Sequence, residues 1–123
     1  MGSKNRILLG HITNRITHYF RNTFENDIYI TKVTAEKIKI KHSPLDKEFI
    51  YNNNFQIIVD NTIYINYDVE DNSWECLSKI EDKYYFYVLI VNNKSTHVKS
   101  LYIPKLKKIE VKFFKNEKAK KIL

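Results

Sequence analysis

Hydrophobic positions change their spacing about halfway along the chain, near Asn61. Before it they recur mostly at helical intervals. His11 to Phe20 carries Ile12, Ile16, Tyr19 and Phe20 on one helical face. Ile28-Tyr29-Ile30 then reads as a short strand. Thr34 is suited to cap a helix from Ala35 to about His42 that Pro44 stops. Asp46 is suited to cap another, from Lys47 to about Val59, with Phe49, Ile50, Ile57 and Ile58 among its apolar positions.

After Asn61 the period falls to two. Ile63 and Ile65 alternate with Thr62, Tyr64 and Asn66; Trp74, Cys76 and Ser78 face one way, and Glu75, Leu77 and Lys79 the other. Tyr84 to Val91 is an unbroken aromatic and β-branched run, the pattern of a central strand covered on both faces, with Asp82-Lys83 as the turn before it. His97 to Ile103 predicts a further strand. Pro104 opens a basic segment that starts as a helix or, over Val111 to Phe114, continues as strand. Helices first and strands later predict an α+β fold, with N-terminal helices packed on one face of a twisted antiparallel β-sheet. With 123 residues and no internal repeat, the expectation is a single domain over 1–123, with a basic C-terminal segment over 104–123.

Composition narrows the class. Hydrophobic residues at 43% supply a core, and two Gly and two Pro exclude collagen-like and linker-like chains. A lone Cys76 excludes a disulfide scaffold or a Cys-rich zinc site. No apolar run approaches the roughly 20 residues of a membrane span, and the N-terminus lacks a secretory apolar core, so a soluble, cytoplasmic protein without membrane association is expected. The net charge of +7 is unevenly spread: ten lysines and two glutamates lie between Lys94 and Leu123, whereas six acids and one lysine lie between Asp68 and Asp82. A basic stretch of that length suits a polyanion such as RNA or DNA, and equally a solvated face.

Gly2 and Gly10 alone cannot build a phosphate-binding glycine loop, and metalloprotease, serine-hydrolase and calcium-loop motifs are absent. Asp68, Glu70 and Asp71 read as a solvated turn rather than a divalent-ion site, and Cys76, mid-strand among hydrophobes, as core rather than nucleophile. His11 and His18 suit packing or solvent. His42 ends a helix whose polar side is Lys37, Lys39 and Lys41. It suits either a neutral proton-transfer group beside a phosphate-binding surface or an imidazole interacting with the helix dipole.

The order of segments adds a further signal. Ile38, His42 and Pro44 follow the strand Ile28-Tyr29-Ile30; Ile57-Ile58-Val59-Asp60-Asn61 ends the next helix; Ser100-Leu101-Tyr102-Ile103 precedes the basic stretch Lys105 to Lys121; and Leu9-Gly10-His11 stands near the start. Across about residues 7 to 121 this resembles the phage-associated nucleases of the barnase, EndoU, colicin and RelE-like (BECR) superfamily. The chain departs from that pattern at Lys37, where the family has a histidine, at Lys41, where it has an arginine, and at Ile103, where it has a threonine.

The resemblance implies a RelE-like fold and metal-independent RNA cleavage without a cofactor, in which the 2′-OH attacks the adjacent phosphate. It assigns His42 as acid or base, Lys37 and Lys41 as cations for the developing phosphate charge, and Ser100 as a hydrogen-bond donor to a phosphate oxygen. Lys39, Lys99, Lys105, Lys107, Lys108 and Lys112 would bind the backbone of a tRNA or mRNA. On an ideal helix His42 lies far around from Lys37, so this site requires the helix end to unwind at Pro44. A toxin or effector of this kind acts in the host cytoplasm, is encoded by a phage or mobile element, and is neutralised by an acidic antitoxin or immunity protein. The lysine-for-histidine and isoleucine-for-threonine changes equally fit a catalytically degraded module that binds RNA or a protein. Neither reading decides between monomer and dimer.

Overall fold

The computed structural model describes residues 5–20, 26–92 and 95–122. Lys94 and Leu123, which bound the basic stretch, lie outside them. Seven strands form one sheet: β1 (Arg6–His11), β2 (Asp27–Thr31), β3 (Thr62–Asp68), β4 (Ser73–Ile80), β5 (Lys83–Asn92), β6 (Ser95–Tyr102) and β7 (Lys120–Lys121). Their order is β1-β2-β6-β5-β4-β3-β7, so β5 is the middle strand. The fold is α+β, as the periodicities imply. The sheet is antiparallel except where β2 runs parallel to β6, pairing Ile28 with Thr96 and Tyr29 with His97.

The apolar run of β5 is buried on both sides. Tyr85, Tyr87 and Leu89 join one cluster with Ile28, Ile30, Trp74 and Cys76, whereas Phe86 and Val88 join another with Leu77. The first cluster is covered by α1 (Asn14–Thr17), α2 (Lys32–His42), a π-helical turn over Asp46–Tyr51 and α3 (Phe55–Asp60), which contribute Ile16, Ala35, Ile38, Phe49, Phe55 and Ile58. The second is covered by Ile109 of α4 (Leu106–Ile109) and Phe113 of a π-helical turn over Glu110–Phe114. A sheet with a strand like β5 needs a layer on each face, and the basic C-terminal segment supplies the one that a single-faced plan lacks. No helix among the described residues is long and apolar enough to cross a membrane.

Three segments depart from the periodic reading. Arg6–His11, to which the periodic reading assigns no element, is a strand, and the helix expected over His11 to Phe20 shrinks to Asn14–Thr17 because His11 still pairs with Asp27 of β2. The helix expected over Lys47 to Val59 breaks at Asn52–Asn54, where Asn53 takes φ 55°, a left-handed conformation that asparagine tolerates. Thr31, not Thr34, caps α2: its hydroxyl accepts the Thr34 N–H at 3.1 Å. The β4–β5 turn also sits one residue earlier than expected, with Glu81 at φ 56°. At the start of β3, an irregularity between Thr62 and Tyr64 breaks the alternation and turns Ile63 and Tyr64 both toward the second cluster.

Polar groups between α3 and the sheet are hydrogen-bonded to one another. Thr62 Oγ1 lies 2.6 Å from the Tyr87 hydroxyl and 2.8 Å from the Val59 carbonyl, and the Ser78 hydroxyl donates to the Ile58 carbonyl at 2.6 Å. These bonds fasten the C-terminus of α3 to the middle of the sheet. Gly10 is held against α3 too: a Cβ there would lie 2.3 Å from Gln56 Oε1, the atom that accepts the His11 N–H at 2.8 Å. Tyr87→Phe, which removes one member of the buried set and keeps the ring, is expected to cost about 1–2 kcal/mol of stability. A urea unfolding midpoint equal to that of the unchanged protein would contradict this role for the hydroxyl.

Candidate functional site

Beyond the two β2–β6 rungs, no strand among the described residues lies beside that edge of β6, and the chain leaving β2 turns at once into α2. α2 packs against β6 there, covering an edge that would otherwise expose unpaired backbone groups. Ala35 and Ile38 are buried and anchor the helix. Between the helix and the strand lies a cleft of about 190 Å³, lined by Thr34, Lys37, Ile38, Lys41 and His42 from α2 and by Lys99, Ser100 and Tyr102 from β6. All four residues assigned by resemblance to the chemistry, His42, Lys37, Lys41 and Ser100, therefore meet in one place.

The helix does not unwind to allow this, because α2 stays helical through His42. Thr34, Lys37, Ile38, Lys41 and His42 stand at i, i+3, i+4, i+7 and i+8, which is one continuous helical face. His42 shares that face through Ile38, four residues earlier, rather than through Lys37 five earlier. Its Cβ leans back toward the N-terminus, carrying the ring over the preceding turn.

The strand side depends on a bulge. Val88 pairs with Ser100 and Leu89 with Val98, so Lys99 is an extra residue in β6. The register therefore shifts: Val98 and Leu101, three apart, both enter the first cluster, while Ser100 and Tyr102 belong to the other side. Bulges of this kind re-aim side chains next to sites. Tyr102 then fixes the histidine. The two rings stack with centroids 5.3 Å apart and planes 25° apart, and Tyr102 also contacts Phe86 at 4.9 Å. The Lys108 ammonium donates to the Tyr102 hydroxyl and lies 4.6 Å from its ring centroid. Tyr102 and Lys108 thus position the ring that faces the cleft.

Electrostatically the cleft is cationic: Lys37, Lys41 and Lys99 line it, and no carboxylate does among the described residues. Partial burial, helped by the Lys41 charge, pushes the His42 imidazole below its usual range, so it is neutral at pH 7. Lys99 makes one ion pair, 2.5 Å to Asp71 of the acidic β3–β4 turn. Asp68 caps that turn, accepting the Glu70 and Asp71 N–H groups at 3.1 and 3.3 Å. A neutral imidazole, ammonium groups and hydroxyls around a small opening can accept a proton and hold a phosphate.

The remaining assigned lysines are dispersed. Lys39 is exposed on α2 outside the cleft lining, and Lys105 and Lys107 are exposed at the start of the C-terminal segment. Lys108 supports Tyr102, and Lys112 pairs at 2.5 Å with Glu75, a buried carboxylate that also accepts from Asn66 Nδ2 at 3.1 Å. Lys112 therefore serves the inside of the protein. Ile103 stands past the end of β6 in a neighbouring hollow of about 370 Å³, which His42 also lines together with Glu48 and Tyr85. Cys76 is fully buried, and burial pushes its thiol far up, as expected of a core residue. Tyr85 and Tyr87 are core, and Tyr84 packs on the second cluster. Sequence reasoning missed Thr34 and Ile38 as cleft residues, although their spacing from Lys41 and His42 shows it, and missed the Lys108 support of Tyr102, which no spacing shows.

His97 is also pushed below its usual range, chiefly by burial. For both histidines the folded form binds protons less readily than the unfolded chain, so stability is full above about pH 6.5 and declines as pH falls through the lowered folded values. The loss of thermal stability between pH 7 and pH 5 is expected to shrink in His42→Gln and His97→Gln; an unchanged pH dependence in both would refute the neutral assignment. Comparison of the chain with family models, with curated proteins and with solved structures returned no match, so the cleft itself carries the functional reading.

Proposed function

We propose that the cleft binds a phosphodiester of RNA and that the protein is a metal-independent endoribonuclease of the BECR, RelE-like type, acting as a toxin or phage effector. The observation that carries the reading is the convergence of His42, Lys37 and Lys41 with Ser100 from a distant strand. His42, neutral at pH 7, takes the proton of the 2′-OH as that oxygen attacks the phosphorus; the P–O5′ bond breaks, leaving a 2′,3′-cyclic phosphate, and the departing 5′-oxygen takes a proton from solvent. Lys37 and Lys41 oppose the charge that grows on the phosphate oxygens, without the bidentate fork an arginine would offer. Ser100 donates a hydrogen bond to one of those oxygens. The exposed lysines hold the flanking backbone without regard to sequence. Such a cleft is a target for an acidic neutralising protein, which would occupy the same lysines.

A second reading has one observation in its favour. His42 is the single imidazole in the cleft lining, and among the described residues no carboxylate lines that cleft to serve as the second proton-transfer group. A protein that grips RNA there without cutting it fits that set.

Cleavage of total RNA and tRNA in excess EDTA separates the two. We expect activity in the unchanged protein and a loss of at least about a hundredfold in His42→Ala. Salt-sensitive RNA binding with no cleavage would select the second reading, and equal cleavage by both proteins would remove His42 from the chemistry. Asp71→Asn, which frees Lys99, is expected to tighten RNA binding by a few-fold, in line with the roughly 0.2–1 kcal/mol of an exposed pair. Unchanged binding in that variant, measured at low salt, would take Lys99 out of the RNA contact.

A further inference from the structure

We propose that a second hollow, beside the β3–β4 turn, is a stacking subsite for an unpaired nucleobase of the RNA, with Lys118 and Lys120 taking its phosphate. The proposal rests on the RNA reading of the cleft. At about 350 Å³ the hollow is larger than the histidine cleft, at about 190 Å³. Its walls include Tyr19, Tyr67 and Trp74, and Lys118 and Lys120 line it with no carboxylate among the described residues.

The aromatic wall is rigid. Tyr67 and Trp74 are cross-strand partners with ring centroids 4.8 Å apart. Trp74 is 4% exposed and packs against Phe20 at 5.7 Å. Tyr67 is 42% exposed, and its hydroxyl is tied to Asn72, a turn residue with φ 51°. An exposed ring pinned at its far end offers a face to a ligand with little ordering cost.

The mixture of walls selects the ligand. A neutral aromatic would leave two lysines unused, and a bare phosphate would leave the rings unused. A base carrying its phosphate uses both, in the manner of single-strand binding surfaces. The hollow is also joined to the cleft by one turn: Val69 lines the hollow, and Asp71, two residues on, holds Lys99 of the cleft.

Trp74 is the sole tryptophan of the chain, so its emission reports on this hollow alone. Nucleoside monophosphates titrated into the full protein are expected to quench it saturably, and inorganic phosphate to leave it unchanged. Tyr67→Ala is expected to weaken the nucleotide response at least about fivefold, and Tyr67→Phe, which keeps the ring, to retain it, both with an unchanged far-ultraviolet circular dichroism spectrum. Absence of saturable quenching, quenching by phosphate alone, or equal affinity in Tyr67→Ala would each overturn the subsite. A silent Trp74 in a protein whose RNA binding requires Lys37 and Lys41 overturns the subsite and leaves the cleft reading standing. A nucleotide response in a protein that binds no RNA overturns both, leaving a mononucleotide pocket unconnected with RNA.

Discussion

β6 is held along one side by β5 and on the other by only two rungs with β2. That unequal support is the constraint on which the site depends. A parallel partner that leaves after two rungs exposes a strand edge, and an exposed edge must be covered. α2 begins directly after β2 and covers it, so the helix is fixed against the strand by connectivity as well as by Ala35 and Ile38. A cleft between a helix and the edge of a strand can be lined by side chains from both, whereas a helix laid flat on a sheet face fills that space with core. The bulge at Lys99 completes the arrangement, because it lets Val98 and Leu101 both reach the core while Ser100 and Tyr102 turn the other way.

The distribution of charge gains meaning from the same geometry. A run of lysines after Pro104 reads in the sequence as a polyanion-binding stretch or a solvated face, yet Ile109 and Phe113 dock the segment against the second face of the sheet. Once the segment is docked, its lysines divide. Lys112 offsets the buried Glu75, and Lys108 braces Tyr102 from behind. The lysines that line the cleft come instead from α2 and β6, far apart in sequence. The net charge of +7 is therefore a poor guide to where an anion binds, and the position of each ammonium group is a good one.

Much of this was legible from periodicity. The double-sided burial of Tyr85 to Leu89, the alternation through Trp74 to Lys79 and the helix ending at His42 follow from residue spacing and side-chain shape. What was not legible has a common physical cause: the deciding contact lies outside the local window. Arg6–His11 is a strand because β2 pairs with it, and the helix expected over Lys47 to Val59 breaks where Asn53 adopts a left-handed turn. The bulge at Lys99 is a matter of register with β5 and leaves no mark in the β6 sequence. The gathering of His42, Lys37, Lys41 and Ser100 was expected from resemblance, but the reason they meet is helical: His42 stands four residues from Ile38, so it needs no unwinding.

The cleft also couples its occupant to its histidine. Partial burial, and after it the Lys41 charge, disfavour the imidazolium, which keeps His42 able to accept a proton. On the proposed reading, a phosphate drawn in by Lys37, Lys41 and Lys99 would bring the opposite charge into the same small volume and favour the imidazolium. Lys41, which helps burial keep the histidine neutral, would thus also help recruit the group that stabilises its protonated form. By linkage, a protonated His42 binds that phosphate more tightly than a neutral one. Under the proposed ribonuclease reading, proton transfer to His42 during attack would be favoured by the substrate itself, and the stacking on Tyr102, braced by Lys108, holds the ring in place.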